Sequence, residues 1–249
     1  MKARIRASDG ETRTVNRGSS TMMRRNITSG LALAAGAMLA LPATSGAQII
    51  EIGKEGTDPV PSCPATPCVA ISRTTGYQAK VGVRRGLMAV PQNGRLVAWS
   101  ITLSRPGTRQ IAFFNDLAGG EASAQITILR SGSRLRARAI AQGPIERLTP
   151  YFGSTVQFPL VRSIRVRRNQ VIGLTVPTWA PALAVGLGGD TSWRASRPRG
   201  SCDDNRSQTA LTTPNQLAQF FCLYRTARLS YTATIVTDPQ RPRPATSSG

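Results

Sequence analysis

The chain has 249 residues and a formal net charge of +20, with 32 lysine and arginine residues against 12 aspartate and glutamate residues and no histidine. The absence of histidine excludes a Ser-His-Asp triad, a Cys-His pair and every histidine-bound metal site. Nearly all of the positive charge is arginine, a bias that GC-rich codon usage explains as readily as selection for anion binding.

The N-terminal segment has the composition of an export signal. Residues 22–25 contribute a basic region, residues 31–43 an apolar region too short to span a bilayer, and residues 45–47 a small-x-small cleavage site. We therefore interpret residues 1–47 as a signal peptide with a mis-assigned N-terminal extension. Cleavage there predicts a mature protein that begins at Gln48.

The same stretch bears on where translation starts and on the route of export. Residues 1–21 are polar and patternless, which favours a start at Met22 or Met23, and the pair Arg24-Arg25 leaves twin-arginine export as an alternative to ordinary secretion. Removal of residues 1–47 leaves about 200 residues with a charge of about +15, which is enough for one domain and too few for two. Residues 48–62 are predicted to be a flexible leader.

The four cysteines fit an exported protein whose thiols pair as disulfides. Three pairings are open to four cysteines, and we predict the two that are local in sequence, Cys63–Cys68 and Cys202–Cys222. A zinc site would need all four thiolates from irregular spacings without a paired CxxC motif, so the sequence favours disulfides and predicts no metal and no cofactor.

The clearest strand signal lies in residues 87–103. Four apolar residues recur there with a period of two, which places them on one face of a half-buried antiparallel strand; they are Val97, Trp99, Ile101 and Leu103. Just before them, residues 91–94 read Pro-Gln-Asn-Gly, the chemistry of a tight turn. This stretch predicts an all-β domain.

The other elements predicted before residue 150 are short strands and turns. They are a strand pair over residues 69–83 broken at Thr75-Gly76, a turn at 105–108, a strand at 110–115, a glycine-bearing loop at 116–121, and strands at 124–130 and 134–141 joined at 131–133.

The second half of the chain repeats this pattern. It predicts strands within residues 155–176 with a turn at 167–170, a proline interruption at 177–181, a short strand at 183–187, a polar loop at 194–205, a turn of helix at 215–219, closing strands at 220–224 and 229–236, and a disordered Pro/Arg/Ser tail at 238–249.

No long helical period interrupts these strands, so the predicted fold is all-β: a two-layer antiparallel β-sandwich, jelly-roll-like, that occupies residues 63–237.

Two strand motifs resemble those of a known group of proteins. Residues 91–99 read Pro-x-x-Gly-x-h-x-x-Trp, where h is apolar, and the strand over residues 166–174 ends in Ile-Gly-Leu. Together they resemble the uncharacterised secreted β-sandwich proteins of high-GC bacteria over most of residues 69–236. The resemblance implies the fold and export, and it assigns no catalytic residue because both motifs are structural.

Three tryptophans are candidates for different roles. Trp99 shares a face with apolar neighbours and is predicted to lie in the core. Trp179 and Trp193 lie in loop-like surroundings, where they either close the open end of the sandwich or stack on a sugar ring or another flat ligand.

The arginines show one pattern above their background. Alternation with apolar residues places several guanidinium groups on outward strand faces; they are Arg134, Arg136, Arg138, Arg165 and Arg167. If the two strands are neighbours, they form a basic face that binds an anionic polymer; otherwise the arginines are an ordinary solvated surface.

Five carboxylates supply the alternative of an enzyme. Paired carboxylates are the usual machinery of glycoside hydrolysis, and the candidates are Asp116, Glu121, Asp190, Asp203 and Asp204. The same oxygens could serve turns, or bind calcium.

From these observations we expect a secreted, non-catalytic β-sandwich that binds or helps build the cell surface, with an anionic envelope polymer or a glycan as partner. The alternative is a carbohydrate-active hydrolase. No base-reading motif points to specific nucleic-acid binding, and the mature form is expected to have no transmembrane anchor.

Overall fold

The computed structural model describes residues 46–204, 208 and 210–239. In chain order the elements are β1 (Ile49–Ile52), β2 (Ile71–Val81), β3 (Arg84–Arg85), β4 (Gly94–Thr102), α1 (Thr108–Ala118), β5 (Ser123–Ser131), β6 (Arg136–Gln142), β7 (Glu146–Arg147), a 3₁₀ turn (Thr149–Tyr151), β8 (Thr155–Val166), β9 (Val171–Ala180), β10 (Leu183–Val185), β11 (Ser192–Ala195), β12 (Leu217–Gln219), β13 (Cys222–Arg225), β14 (Ala227–Leu229) and β15 (Tyr231–Thr237).

Eight of these strands build two facing antiparallel sheets. The smaller sheet has the order β1-β15-β4-β8, and the larger contains the run β6-β5-β9-β2. Counted along the chain, the first, eighth, third and sixth of the eight strands therefore share one sheet, and the second, seventh, fourth and fifth share the other. This is the jelly-roll arrangement, so the predicted fold class is confirmed.

The remaining strands extend this framework. β12 continues the larger sheet beyond β6, while β11 and β13 continue it beyond β2. β3 pairs with β2, β7 pairs with β5, and β10 and β14 form a separate two-stranded ribbon.

The core lies between the sheets. Trp99 and Ile101 of β4 are fully buried against the face of the larger sheet that carries Ile126, Ile128, Ile172 and Leu174. We call this the inner face. Each of these side chains contributes about 1.5–3 kcal/mol by leaving water, which makes the core the main source of stability.

A bulge changes the predicted alternation in β4. The pairing with β8 shifts between Leu96 and Ala98, so Val97 falls at the irregularity and Leu96, not Val97, is fully buried. A one-residue shift moves side chains to the opposite face of a strand, which is why the simple period of two misplaced Val97. Trp99, Ile101 and Leu103 are buried as predicted.

The predicted strand at residues 110–115 is wrong, because helix α1 occupies Thr108–Ala118. The helix begins after Gly107, whose N–H donates to Gln110 Oε1 at 2.8 Å, and ends at Gly119, which has the left-handed φ of 75°. Phe114 and Ala118, one turn apart, form its buried face. A helix with only one narrow apolar stripe resembles a short strand in sequence.

The predicted break at residues 75–76 is also wrong, since β2 runs through it. The break predicted at 177–181 begins too early, since β9 continues to Ala180 and ends only before Pro181. The ladder between these strands is irregular between Ser72 and Thr74, opposite Pro177, where a missing N–H disrupts no regular pairing. At Gly76, an added Cβ would lie 2.9 Å from the Trp193 ring, so this glycine permits a close approach and is not a turn.

Two further segments differ from prediction. The proposed leader at 48–62 contains β1, which pairs with β15 from Ile49 opposite Val236 to Ile52 opposite Ala233, so the sandwich begins before residue 63. The proposed helical turn at 215–219 contains strand β12, which pairs with β6.

Both predicted disulfides are present, Cys63–Cys68 and Cys202–Cys222. The second joins Cys202 to Cys222 and so anchors the end of residues 210–221, which we call the cover segment. Leu211 and Phe220 of this segment pack on Leu129, on the outer face of the larger sheet.

Beneath the cover segment the outer face carries a chain of threonine hydroxyls. Thr175 Oγ1 lies 2.8 Å from Thr75 Oγ1 and 2.6 Å from Thr127 Oγ1, and the Leu211 N–H donates to Thr75 Oγ1 at 3.0 Å. All three threonines are fully buried. The outer face is thus closed by hydrogen bonds as well as by apolar contacts.

The terminal predictions fall mostly outside the described residues. Of the signal peptide at 1–47 only residues 46 and 47 are described, and of the tail at 238–249 only 238 and 239. Within the described part of the chain, no helix has both the length and the apolar character needed to cross a membrane.

Candidate functional site

A basic cleft of about 670 Å³ opens where the β5–β6 hairpin faces the connection between β8 and β9. The hairpin contributes Arg130, Ser131, Ile140 and Ala141 to its lining, and Arg165 and residues 167–170 contribute the rest. Four arginines line this cleft: Arg130, Arg165, Arg167 and Arg168.

Hydrogen bonds from backbone N–H groups to side chains fix the turn at residues 167–170, which forms one side of the basic cleft. The Arg167 N–H donates to Gln170 Oε1 at 2.8 Å, and the Arg168 N–H donates to Asn93 Oδ1 at 3.0 Å. These bonds hold the turn that presents both arginine side chains to solvent.

Charge in the basic cleft is poorly compensated. Arg165 Nη2 lies 3.4 Å from Asp238 Oδ2, and both side chains are exposed. Within the described residues, the guanidinium groups of Arg130, Arg167 and Arg168 have neither a hydrogen bond nor an ion pair with the protein. Three positively charged groups therefore face one concave surface without a protein counter-ion.

The strand register places further arginines opposite one another, and their positive charges repel. Arg130 lies directly opposite Arg138 in the larger sheet, and Arg95 lies opposite Arg165 in the smaller one. Like charges in directly opposite positions destabilise an antiparallel pair. Arg95 is relieved by Ser163 Oγ at 2.6 Å and Arg138 by the Asn215 carbonyl at 2.7 Å, whereas Arg130 has no such partner among the described residues.

The structure divides the five arginines predicted from the sequence. Arg165 and Arg167 line the basic cleft. Arg136 and Arg138 are exposed residues of β6. Their side chains lie on the same side of the sheet as that of Arg130, but they do not line the cleft. Arg134 is not on a strand, because its left-handed φ of 54° places it in the turn before β6.

The two strands also do not neighbour each other, since β6 and β8 belong to different sheets. The condition that we set for a basic sheet face, two neighbouring strands, is therefore not met. In the cleft, Arg130 comes from the larger sheet and Arg165 from the smaller one, while Arg167 and Arg168 lie on the connection between β8 and β9. The sequence did not single out Arg130 and Arg168.

Neither candidate tryptophan lies free on the surface. Trp179 is fully buried in β9, where its Nε1 donates to Asn115 Oδ1 at 2.8 Å and its ring stacks on Phe114 at 4.9 Å. It closes the end of the sandwich beneath α1, so it does not stack on a sugar. Trp193 is also buried, in β11, yet its ring forms part of a cavity wall.

That cavity is an open apolar pocket of about 450 Å³, lined by parts of residues 68–72, α1, β10 and the β11–β13 pair. Phe113 and Phe114 stand on the helix side, and Trp193 stacks on Tyr224 at 4.7 Å on the sheet side. Burial raises the pKa of the Tyr224 phenol, and the nearby Arg197 partly opposes this rise. Apolar walls with a few polar groups are typical of small-molecule sites.

The five candidate carboxylates lie in four separate places, with only Asp203 and Asp204 side by side. Asp116 is exposed on α1, Asp190 is exposed in the turn before β11, and Asp203 is exposed in the disulfide loop next to Asp204. Glu121 pairs with Arg147 Nη2 at 2.6 Å on the surface. The described residues contain no group of three histidine, cysteine or carboxylate side chains placed to hold a metal.

Comparison of the chain with protein-family models, with curated proteins and with solved structures finds no match in any of the three. The function therefore has to be argued from the geometry of the basic cleft and the apolar pocket.

Proposed function

We propose that the protein is an exported, non-catalytic binding protein that holds an anionic polymer of the cell envelope in the basic cleft. The observation that carries this proposal is the convergence of Arg130, Arg167 and Arg168 on one concave surface without a carboxylate partner among the described residues. Guanidinium groups bind phosphate and carboxylate oxygens bidentately, and a polymer supplies several such groups in a row.

The shape of the basic cleft supports a polymer more than a small anion. Its volume of about 670 Å³ exceeds that of a single phosphate or carboxylate several-fold, and arginines stand on both sides of it. The direct opposition of Arg130 and Arg138 supports the same proposal, because an anion bound to Arg130 in the cleft would offset part of their repulsion.

Export is proposed from three observations that agree. The two disulfides fit an oxidising compartment, residues 22–47 read as a signal peptide, and the first described strand begins at Ile49, directly after the predicted cleavage site. A protein exported from the cytoplasm meets the anionic polymers of the envelope.

The experiment measures retention of the protein, beginning at Gln48, on immobilised linear polyphosphate, on immobilised polyuronate and on neutral dextran. We expect retention on the polyanions at about 50 mM NaCl and its loss at about 500 mM. The two polyanions distinguish phosphate from carboxylate as the recognised group, and retention on dextran at both salt concentrations would overturn the proposal.

A matched pair of variants assigns the binding to the basic cleft. The cleft variant changes Arg130, Arg167 and Arg168 to glutamine, and the control changes Arg85, Arg109 and Arg162, which are exposed and lie outside the cleft. The cleft variant should bind weakly and lower the slope of log affinity against log salt by about 2, while the control retains most of the affinity. Equal losses in the two variants would mean that net charge alone causes retention.

A further inference from the structure

The apolar pocket contains a buried positive charge that no carboxylate of the described residues neutralises. Arg197 is 6 % exposed and belongs to the pocket lining. Its Nη1 donates to Tyr224 Oη at 2.6 Å and to the Cys202 carbonyl at 3.2 Å, and its Nη2 donates to the Ser72 carbonyl at 3.3 Å. All three acceptors are neutral.

No carboxylate in the described residues forms an ion pair with Arg197. Asp203, whose charge contributes to the raised pKa of Tyr224, is exposed and forms no ion pair with the arginine. The Arg197 Nε is buried without a hydrogen-bond partner. Buried charges in proteins are normally paired, since an isolated one carries a desolvation cost of several kcal/mol.

The other side chains of the apolar pocket indicate that a ligand carrying the counter-charge would also have an apolar body. Phe113, Phe114, Leu117, Leu183 and Val185 offer carbon surface, and Phe113 stands 60 % exposed at the mouth. When an apolar molecule enters the pocket, it removes the exposed ring from water, and this burial of apolar surface lowers the free energy.

We infer that the apolar pocket binds a small apolar monocarboxylate, with its carbon body between α1 and the Trp193–Tyr224 pair and its carboxylate on Arg197. A single negative charge matches the single buried positive charge, and the volume of about 450 Å³ lies in the range of small-molecule sites. Ring walls on two sides suit a flat body, while the depth also admits a short alkyl chain.

This site is independent of the basic cleft. The two lie near opposite ends of β9, because Val171 adjoins the basic cleft and Ala180 pairs with Ile71 at the apolar pocket. At the usual rise per strand residue the separation is about 30 Å. The cleft variant that lacks Arg130, Arg167 and Arg168 should therefore bind a monocarboxylate normally, whatever happens to polymer binding.

The test titrates the protein with 2-naphthoate, 2-naphthamide, decanoate and decanol, and follows tryptophan fluorescence and the thermal midpoint. We expect naphthoate or decanoate to bind below about 1 mM and to raise the midpoint, with the uncharged analogue about tenfold weaker. Comparison of the two acids identifies a ring or a chain as the preferred body. Absence of binding by both acids up to about 1 mM, or equal binding of acid and uncharged analogue, would overturn the inference.

Two variants separate binding from folding. Arg197→Gln should weaken the acid about tenfold and leave the uncharged analogue unchanged, whereas Arg199→Gln, an exposed neighbour whose side chain stacks on Phe221, should change neither. Because Arg197 also anchors the disulfide loop, Ala70→Phe provides a second test that keeps the arginine and fills the pocket. A folded Ala70→Phe protein that still binds the acid with full affinity would contradict the site.

Discussion

The two faces of the larger sheet are buried by different means. The inner face meets the smaller sheet through aliphatic and aromatic side chains, among them Ile128 and Leu174, and forms the main core. The outer face meets the cover segment, through the threonine hydroxyl chain and the small cluster around Leu129.

The difference shows how one strand can have two stable environments with opposite chemistry. Along β5, Gln125 and Thr127 point outward and Ile126 and Ile128 inward, and all four are buried. Apolar burial on the inner face contributes stability in proportion to area, whereas each hydrogen bond on the outer face contributes only about 1 kcal/mol net. The outer face is therefore expected to open first.

Truncation of adjacent residues in β5 gives the largest expected effect. Ile128→Ala should lower the free energy of unfolding by about 4 kcal/mol, because a cavity between two extended sheets cannot collapse. Leu129→Ala, on the outer face, should cost about 2 kcal/mol, because the cover segment can move inward. Urea denaturation measures both, and equal losses would show that the cover segment is as rigid as the smaller sheet.

Removal of a disulfide tests how the cover segment is held. Replacement of Cys202 and Cys222 by alanine opens a 20-residue connection and should cost about 3 kcal/mol, against about 2 kcal/mol for the five-residue connection of Cys63 and Cys68. Hydrogen exchange should increase at Leu211, whose N–H donates to Thr75, before it increases on β9. Simultaneous exchange at both places would mean that the two faces open together.

The hydroxyl chain can be broken at its centre. Thr175→Val removes the hydroxyl that joins Thr75 and Thr127 and should cost about 1–2 kcal/mol, although valine is apolar and similar in shape. Thr175→Ser retains the hydroxyl and should cost less. If valine were neutral or stabilising, apolar packing rather than hydrogen bonding would hold the outer face.

The smallest effect concerns a polar contact across the inner core. Tyr231 Oη donates to the Ile172 carbonyl at 2.9 Å, and burial raises the pKa of Tyr231 well above 10.0. A pKa raised in the folded state gives stability that is fully present below the unfolded pKa and lost as pH rises towards the folded one.

Stability should therefore fall above about pH 10, and Tyr231→Phe should reduce that decline while it costs about 1 kcal/mol at pH 7. Denaturation at several alkaline pH values measures the slope. Tyr151→Phe, at a partly exposed position, is the control and should leave the slope unchanged.

Much of the fold was predictable because paired strands repeat a local pattern. The period of two in residues 124–141 and 155–176 located β5, β6, β8 and β9 with their connecting turns, and the short cysteine separations identified both disulfides. Prediction failed where tertiary contacts override that pattern, as at the bulge beside Val97 and at Gly76 beneath Trp193.

The candidate sites were harder to predict because each combines residues distant in sequence. Arg130 and Arg168 line one cleft because Leu129 of β5 pairs with Val171 of β9, next to the turn that carries Arg168. Arg197 is one arginine of a polar loop with no local signal of burial. Alternation did show that Arg165 and Arg167 belong together. It could not show that Trp179 faces inward, because Pro177 and Pro181 made a buried strand resemble a loop.

The pairing of β1 with β15 brings the two ends of the folded domain together. The Thr237 N–H donates to the Gln48 carbonyl at 2.8 Å, and the Gln48 N–H donates to Thr237 Oγ1 at 2.9 Å. Asp238 donates its N–H to the Asn93 carbonyl at 2.8 Å, close to the turn that carries Arg168. A linker of a few residues could therefore join the ends into a circular permutant without strain. A fusion partner or surface tether attached at either end would crowd the basic cleft and leave the apolar pocket, on the far side of the sandwich, open to small molecules.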